Sequence, residues 1–501
     1  MDTAQEKKRE LSIKELSIDN IEGYDEILYR ARDKFDYTHE RKLLRRIDLR
    51  IMPLLILLYL FKNLDVNNAS YVKTMNVGTG TNVLDELDMS VNDWAWISTI
   101  YTIPFVLFEI PSSLMLKKST PRVHQFRIAF LWGATLACHA AVKNMAGILS
   151  LRFLLGMFEA GMFPGALSQL AYWYRPDEIT IRMAFLGVLG QFSSILTAFI
   201  TYGFQFADGK GGLSGWQWVF LIEGLLTILC SFFLLAFLPN FPSDANFLTA
   251  DEQEFIMARL PKNSPRASDK NFNKEDIKKA LKRPLTYSFT CLKTFQNLGG
   301  YGLSFWLPSI VQSFGFTSAN KAQLLSIPPA VLAIFSGIFF SWVSDKGYVS
   351  KPYITLFSLS LAIPSFIFLT VITNRAVLYT FICIATMVSS ADGSVLTSWM
   401  QQSLIYSTDV MFCFAFTNSW AQIGGIIGPQ IFRSEYAPRY TLPYGISLMF
   451  LGIALISLAV TWNLTNTVEK QTRRIKKLRL QEISKGNDGK VIYEDVIVDS
   501  K

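Results

Sequence analysis

Arg152 and Glu159 stand seven residues apart in Arg152-Phe-Leu-Leu-Gly-Met-Phe-Glu159-Ala-Gly-Met-Phe-Pro-Gly165, a run otherwise apolar enough to cross a bilayer. At 100° per residue, seven positions return to nearly the same helix face, so both side chains can line one cavity about 10 Å apart along the axis. An isolated charge at the bilayer centre costs roughly 2.5–3.5 kcal/mol on insertion scales, which disfavours a lipid-facing placement. Two uses remain open. The pair either locks neighbouring helices as a structural ion pair or lines a polar path through the membrane.

A second intramembrane acid, Asp65, sits in Lys62-Asn-Leu-Asp65-Val66-Asn-Asn68 near the end of an apolar segment. Desolvation brings proton exchange by a buried carboxyl toward the physiological range, which is what a proton-coupled site requires. Asp65 could equally cap a helix end or partner Lys62, which shares its face at i, i+3. Arg152 stays charged and can grip a carboxylate through two parallel hydrogen bonds, or it can hold Glu159 in one gating state. Asn418 and Gln422 lie four apart before Gly424-Gly425 and Gly428-Pro429, and Asn297 and Tyr301 have the same spacing beside Gly299 and Gly300. Each of these four can hydrogen-bond a ligand or a neighbouring helix. Gly156/Ala160 and Gly161/Gly165 read as packing surfaces, Glu223 as structural, and His139 as a satisfied interior residue; Asp392 has no assigned role.

The elements that must carry these residues are membrane spans. Half of the 501 residues are hydrophobic, and charge gathers in the tails and around 240–285, a distribution that disfavours a soluble multidomain enzyme. The apolar windows predict twelve helices, the first at about 51–70 and the rest near 94–116, 124–143, 146–172, 182–205, 216–238, 286–312, 322–343, 352–372, 376–400, 408–431 and 442–462. The five cysteines are scattered singly without metal spacing, and neither a cofactor nor a metal is expected. The net charge of +8 has no soluble basic domain to carry nucleic-acid binding. Topology explains it better: Lys117, Lys118, Arg122, Arg175, Arg182, Lys346, Lys351 and the basic C-terminal run share the side of the N-terminus, so both termini are expected in the cytoplasm. Arg375, Arg433 and Arg439 make this a bias.

The expected organisation is a cytoplasmic tail at 1–45, a six-helix bundle at 46–239, a cytoplasmic linker at 240–284, a second bundle at 285–464 and a C-terminal tail at 465–501. Thr249-Ala-Asp-Glu252 has capping-box spacing and predicts a short linker helix. Two six-span halves around a central site are the layout of the major facilitator superfamily, an all-α membrane fold.

Particular stretches sharpen this. Arg46-Ile-Asp48-Leu-Arg50-Ile-Met-Pro53, Glu109-Ile-Pro111-Ser-Ser-Leu-Met-Leu116, Arg152 through Gly165, Gly215-Trp-Gln-Trp-Val-Phe-Leu-Ile-Glu223-Gly224, Asn418 through Pro429 and Ala437-Pro-Arg-Tyr440 resemble the anion:cation symporter family of that superfamily. The likeness is to its fungal branch of permeases for allantoate, nicotinate, pantothenate, biotin and cysteine-like or sulfonated substrates, and it runs from about 40 to 465. The resemblance implies proton coupling at Asp65 and Glu159, substrate contact at Asn418 and Gln422, and charge-relay gating near Asp345-Lys346 and Lys117-Lys118. It also marks a departure, because relatives commonly carry a substrate-binding arginine where this chain has Val66. Lys62 is the candidate to supply that charge.

Together these readings predict a secondary active transporter that imports a small organic anion with protons. It is expected to act as a monomer in the lipid bilayer of the plasma membrane. Asp65 and Glu159 would carry protons, and Arg152, Lys62, Tyr301, Asn297, Asn418 and Gln422 would bind substrate. No Gly-x-x-x-x-Gly-Lys-Ser/Thr loop indicates a nucleotide-driven pump. A nutrient sensor of the same fold, binding the anion without net transport, is the alternative.

Overall fold

The computed structural model describes residues 37–174, 176–259, 278, 281–313, 323–345, 349–403, 407–437 and 439–484. Twelve long helical segments account for most of them: α1 (Tyr37–Tyr71), α2 (Ala95–Lys118), α3 (Pro121–Cys138), α4 (Met145–Glu159 and Met162–Trp173), α5 (Pro176–Phe204) and α6 (Gly215–Phe237), then α7 (Pro284–Ser313), α8 (Ile327–Asp345), α9 (Lys351–Val371), α10 (Arg375–Ser403), α11 (Ser407–Ala421 and Ile423–Ile431) and α12 (Thr441–Ser484). Short connections make successive helices alternate in direction within each half, and the bond of Gln323, before α8, to Thr74, after α1, puts the two halves in the same sense. Helix α1 therefore begins, and α12 ends, on one face, here the tail face; the opposite one is the far face.

Local chemistry sets the helix starts. Thr120 caps α3 with Pro121 at the first position, where the missing N–H costs nothing. Asn144 caps α4 through the Gly147 amide, and the Gln217 side chain accepts from the Ser214 amide at the start of α6. Six stretches are long and apolar enough to cross a bilayer alone, namely Met145–Trp173, Phe185–Ala207, Gly215–Phe237, Leu324–Ser344, Lys351–Val371 and Thr441–Thr467. Helices such as α1 and α7 fall short because they place polar side chains against other helices, including Asp65, Asn68, Thr290 and Thr294, all buried.

Two elements differ from expectation. The basic stretch before the first span is not a separate lead-in: α1 is a continuous helix from Tyr37, so the expected tail boundary at 45 falls inside it. Its polar end is held by partners that keep it ordered. Arg46 bonds Glu252, Asp48 receives two bonds from Arg182 at 2.7 and 2.9 Å, and Arg50 lies 4.5 Å from the Phe247 ring centre. Likewise α12 continues to Ser484, past the expected boundary at 464. In the linker, the Thr249 amide donates to Glu252 at 3.0 Å and the Glu252 amide to the Thr249 hydroxyl at 3.3 Å, which starts the helix Ala250–Arg259.

Helices α1–α6 and α7–α12 form two bundles whose closest crossings need residues without side chains. A Cβ on Gly156 of α4 would meet the Tyr101 carbonyl oxygen of α2 at 2.0 Å, and one on Gly302 of α7 would meet the Gly428 carbonyl oxygen of α11 at 2.8 Å. Gly161 and Gly165 are equally tight against Ser112 and Gln125. These glycines let backbones approach, as small-residue stripes do in membranes.

Candidate functional site

The last three turns of α1 build the ionisable core of the first bundle together with α4 and α6. Asp65 is fully buried; its Oδ2 accepts from the Trp132 indole of α3 at 2.7 Å, while Oδ1 has no hydrogen-bond partner. Asn68, one turn on, donates to Glu223 of α6. Glu159, also fully buried, ends the first piece of α4, and the Lys62 ammonium stands 3.8 Å from its Oε1. Arg152 lies one face-repeat earlier on α4, its guanidinium carbon 5.3 Å from the Phe220 ring centre, within electrostatic reach of Asp65, Tyr101, Glu159 and Glu223. Three carboxyls thus share a dry region with two cations, and full ionisation leaves one negative charge in excess.

A cavity of about 110 Å³ opens beside this cluster, lined from the first bundle by Val66, Asn67, Ser98, Tyr101 and Arg152 and from the second by Tyr301, Ser304 and Phe305. Arg152 is the one cation in its wall, and its Nε and Nη2 have no hydrogen-bond partner. A guanidinium with unpaired donors has the chemistry to take a carboxylate through parallel hydrogen bonds. Val66 lines the same void.

The bundles meet on both sides of the cavity. Toward the far face, Ser98 and Thr99 of α2 donate to the carbonyls of Gly425 and Ile426 at 2.9 and 3.0 Å. Gln323, before α8, bonds Thr74 and Gln205 at 3.2 and 3.0 Å. Toward the tail face, Glu109 lies eight residues beyond Tyr101 on α2, about 12 Å deeper. It accepts from Asn418 at 3.3 Å and from Ser419, and Lys293 of α7 is within its electrostatic reach.

The residues expected from sequence fall into three groups. Asp65, Glu159, Arg152, Lys62 and Tyr301 converge on the cluster or the cavity. Lys62 pairs with Glu159, not with Asp65 on its own helix, because α4 brings the glutamate closer than one turn of α1 allows. Asn297 donates to the Ala421 carbonyl at 3.1 Å and Asn418 to Glu109, so both join helices here, and Gln422 lies half-buried at the bend dividing α11. Asp345 ends α8 but its side chain, with that of Asp392 and all of Lys346, lies outside the described residues. The Nδ1–H of His139 donates to the Thr135 carbonyl at 2.9 Å, and the ring packs on Phe220.

Sequence reasoning missed Glu223 as a member of the acid cluster, although a charge eight residues into an apolar span was the available signal. It also missed Glu109 and Lys293, whose meaning depends on meeting across the bundles. Among the described residues no group of three or more His, Cys, Asp or Glu side chains is arranged to hold a metal ion.

Two bundles enclosing a polar cavity, with a buried cluster of charges beside it, are the architecture of a membrane transporter. Residues 53–429 match the Major Facilitator Superfamily, and the chain belongs to it. Similar proteins include the MFS transporter prlL of a fungal species (strain NRRL 50135), 27% identical over 93% of this chain and 95% of that protein. An uncharacterized transporter of Schizosaccharomyces pombe, C1039.04, is 31% identical over 85% and 82%. The major facilitator-type transporter hxnP of Emericella nidulans is 25% identical over 85% and 86%. Among solved structures, a bacterial homologue of the human lysosomal transporter Spinster, inward-facing and unoccupied, superposes with a TM-score of 0.59 at 16% identity, covering 84% of this chain and 96% of that one.

Proposed function

We propose that this chain imports a small organic anion together with protons by alternating access, in the plasma membrane and as a monomer, with the tail face cytoplasmic. The moving halves are residues 46–239 and 285–464, joined by the linker 240–284 and flanked by tails at 1–45 and 465–501. The observation that carries the reading is Arg152: a buried guanidinium with two unpaired donors in a cavity wall, beside buried carboxyls that have unbonded oxygens. An anion arriving there satisfies those donors. With the anion bound, protons on Asp65 and Glu159 bring the cluster to neutrality, and a neutral interior lowers the cost of moving the closed site past lipid. Tyr301 and Lys62 complete the site, Asn297, Asn418 and Gln422 shape its α7 and α11 side, and Asp345 and Lys346 gate the tail face.

The test is competitive uptake of labelled allantoate, nicotinate, pantothenate, biotin and cysteate by cells producing the chain, with and without an inward proton gradient. Concentrative uptake of one acid, collapsed by a protonophore, supports the reading. Arg152→Lys should then raise the apparent substrate constant by about tenfold, the order expected when a bidentate charged contact becomes a single one, and Arg152→Gln by more. Unchanged affinity in inserted Arg152→Gln protein rejects the anchor; binding without uptake points to a sensor.

A further inference from the structure

Lys73 closes the far end of the first bundle in an unusual setting. It lies in a single 3-10 turn after α1, its carbonyl held by the Asn82 side chain at 3.0 Å, and it is only 4% exposed. The ammonium has no hydrogen-bond partner. It is covered instead by two rings of the second bundle, with Nζ 3.5 Å from the Trp306 ring centre and 4.5 Å from that of Phe305. Trp306 is itself fixed, donating to the Pro429 carbonyl at 3.0 Å. Acids on this face are engaged elsewhere: Glu86 takes bonds from Ser214 and from Trp216 at 2.7 Å, Asp208 from Thr81 and the Gly215 amide at 2.8 and 2.9 Å, and Asp93 from Ser90 at 2.7 Å, while Asp85 and Glu86 open the helix Val83–Glu86 and Asp88 is exposed.

We propose that Lys73 is a second anion-binding residue, placed between the far face and Arg152 on the path of an incoming substrate, and that Phe305 and Trp306 mask it whenever that face is shut. The inference rests on the anion reading above. Phe305 is the link: it covers Lys73 and also walls the cavity that holds Arg152. Lys73 belongs to the first bundle and its cover to the second. Separation of the bundles at this end therefore strips the rings from the ammonium and opens the way to Arg152 in the same movement. A solvated lysine at the mouth attracts anions and raises their local concentration. Closure returns the rings to the amine, exchanging the anion for an aromatic face and sending the substrate inward.

The experiment uses the full chain in cells. Sulfo-N-hydroxysuccinimide acetate, which does not cross membranes, is applied, and acetylation is read by mass spectrometry at Lys73 against Lys143 and Lys210, exposed on the same face. Silence at both references shows that this face is internal, and inside-out vesicles are then used. Lys73 should react several-fold more slowly than the references, and Trp306→Leu should bring it close to them. For the acid with the highest uptake among the five above, Lys73→Gln should raise the apparent substrate constant about fivefold at low salt with little change in maximal rate, and flatten its dependence on ionic strength, whereas Lys73→Arg keeps both. Acetylation unaltered by Trp306→Leu, or a normal substrate constant in Lys73→Gln, overturns the inference while leaving the anion reading intact. If no acid is taken up, or uptake ignores Arg152→Gln, the anion reading falls and the ligand assigned to Lys73 falls with it.

Discussion

Asp65 and Glu159 are both fully buried, yet their settings divide the labour. The Trp132 indole neutralises no charge, so Asp65 depends on distant Arg152, whereas Glu159 has the Lys62 ammonium at 3.8 Å. Replacing either acid by its amide keeps the volume and removes the exchangeable proton. Glu159→Gln and Asp65→Asn are each expected to abolish accumulation driven by a proton gradient while the proteins still reach the membrane; concentrative, pH-dependent uptake in either mutant removes that residue from coupling. Lys62→Met leaves Glu159 without its nearest cation, which favours the protonated acid. Uptake by that mutant should therefore persist to higher external pH than in the parent, read from a pH profile at saturating substrate. Asp65, Arg152 and Glu159 were legible in the sequence because a charge in an apolar run has few uses. The partner of Lys62 was not, since helical spacing ranks neighbours on one helix and says nothing of what another helix delivers.

At the scale of elements, the chain's glycines decide where helices cross. A Cβ on Gly302 would press within 2.6 Å of the Phe432 ring and 2.8 Å of the Gly428 carbonyl, whereas one on Gly452 of α12 meets nothing within 4 Å. Gly302→Leu is expected to cost about 1–3 kcal/mol, the usual range for overpacking, and to lower the melting temperature of the purified protein. Gly452→Ala should not lower it. Each of the twelve hydrophobic windows falls on one of the long helices, because burial in lipid selects apolar length. At the two ends of the chain the helices run past the apolar windows. Tyr37–Arg50 stays helical through Glu252, Arg182 and Phe247, and α12 runs on to Ser484, where the sequence is polar and the window method stops. The break in α4 at Ala160–Gly161, directly after Glu159, was likewise hidden in a continuous apolar run.

For the whole molecule, the junction of the bundles is what sequence patterns could not reach. Glu109 carried a recognisable motif, but that it binds Asn418 and Ser419 of the opposite bundle depends on an arrangement no periodicity encodes. Glu109→Ala should loosen this junction and speed hydrogen exchange in the α11 piece Ser407–Ala421 several-fold, measured by mass spectrometry; Glu109→Gln, whose amide oxygen can accept from Asn418 while its NH2 donates to the Ser419 hydroxyl, should not. Exchange unchanged in Glu109→Ala shows that the contact contributes nothing to holding the bundles together.

The buried cluster of Asp65, Glu159, Glu223, Arg152 and Lys62 also has an electrical meaning. With all five ionised it holds one surplus negative charge, and a substrate anion arriving with two protons makes the loaded site neutral. On the proposed orientation, the loaded inward movement then ignores the membrane voltage, and the empty return carries negative charge outward. A negative interior favours that return, by up to about 2.3 kcal/mol per 100 mV for a charge crossing the whole field. In proteoliposomes, hyperpolarisation should raise the maximal rate of uptake and leave counterflow exchange, which skips the empty return, insensitive to voltage.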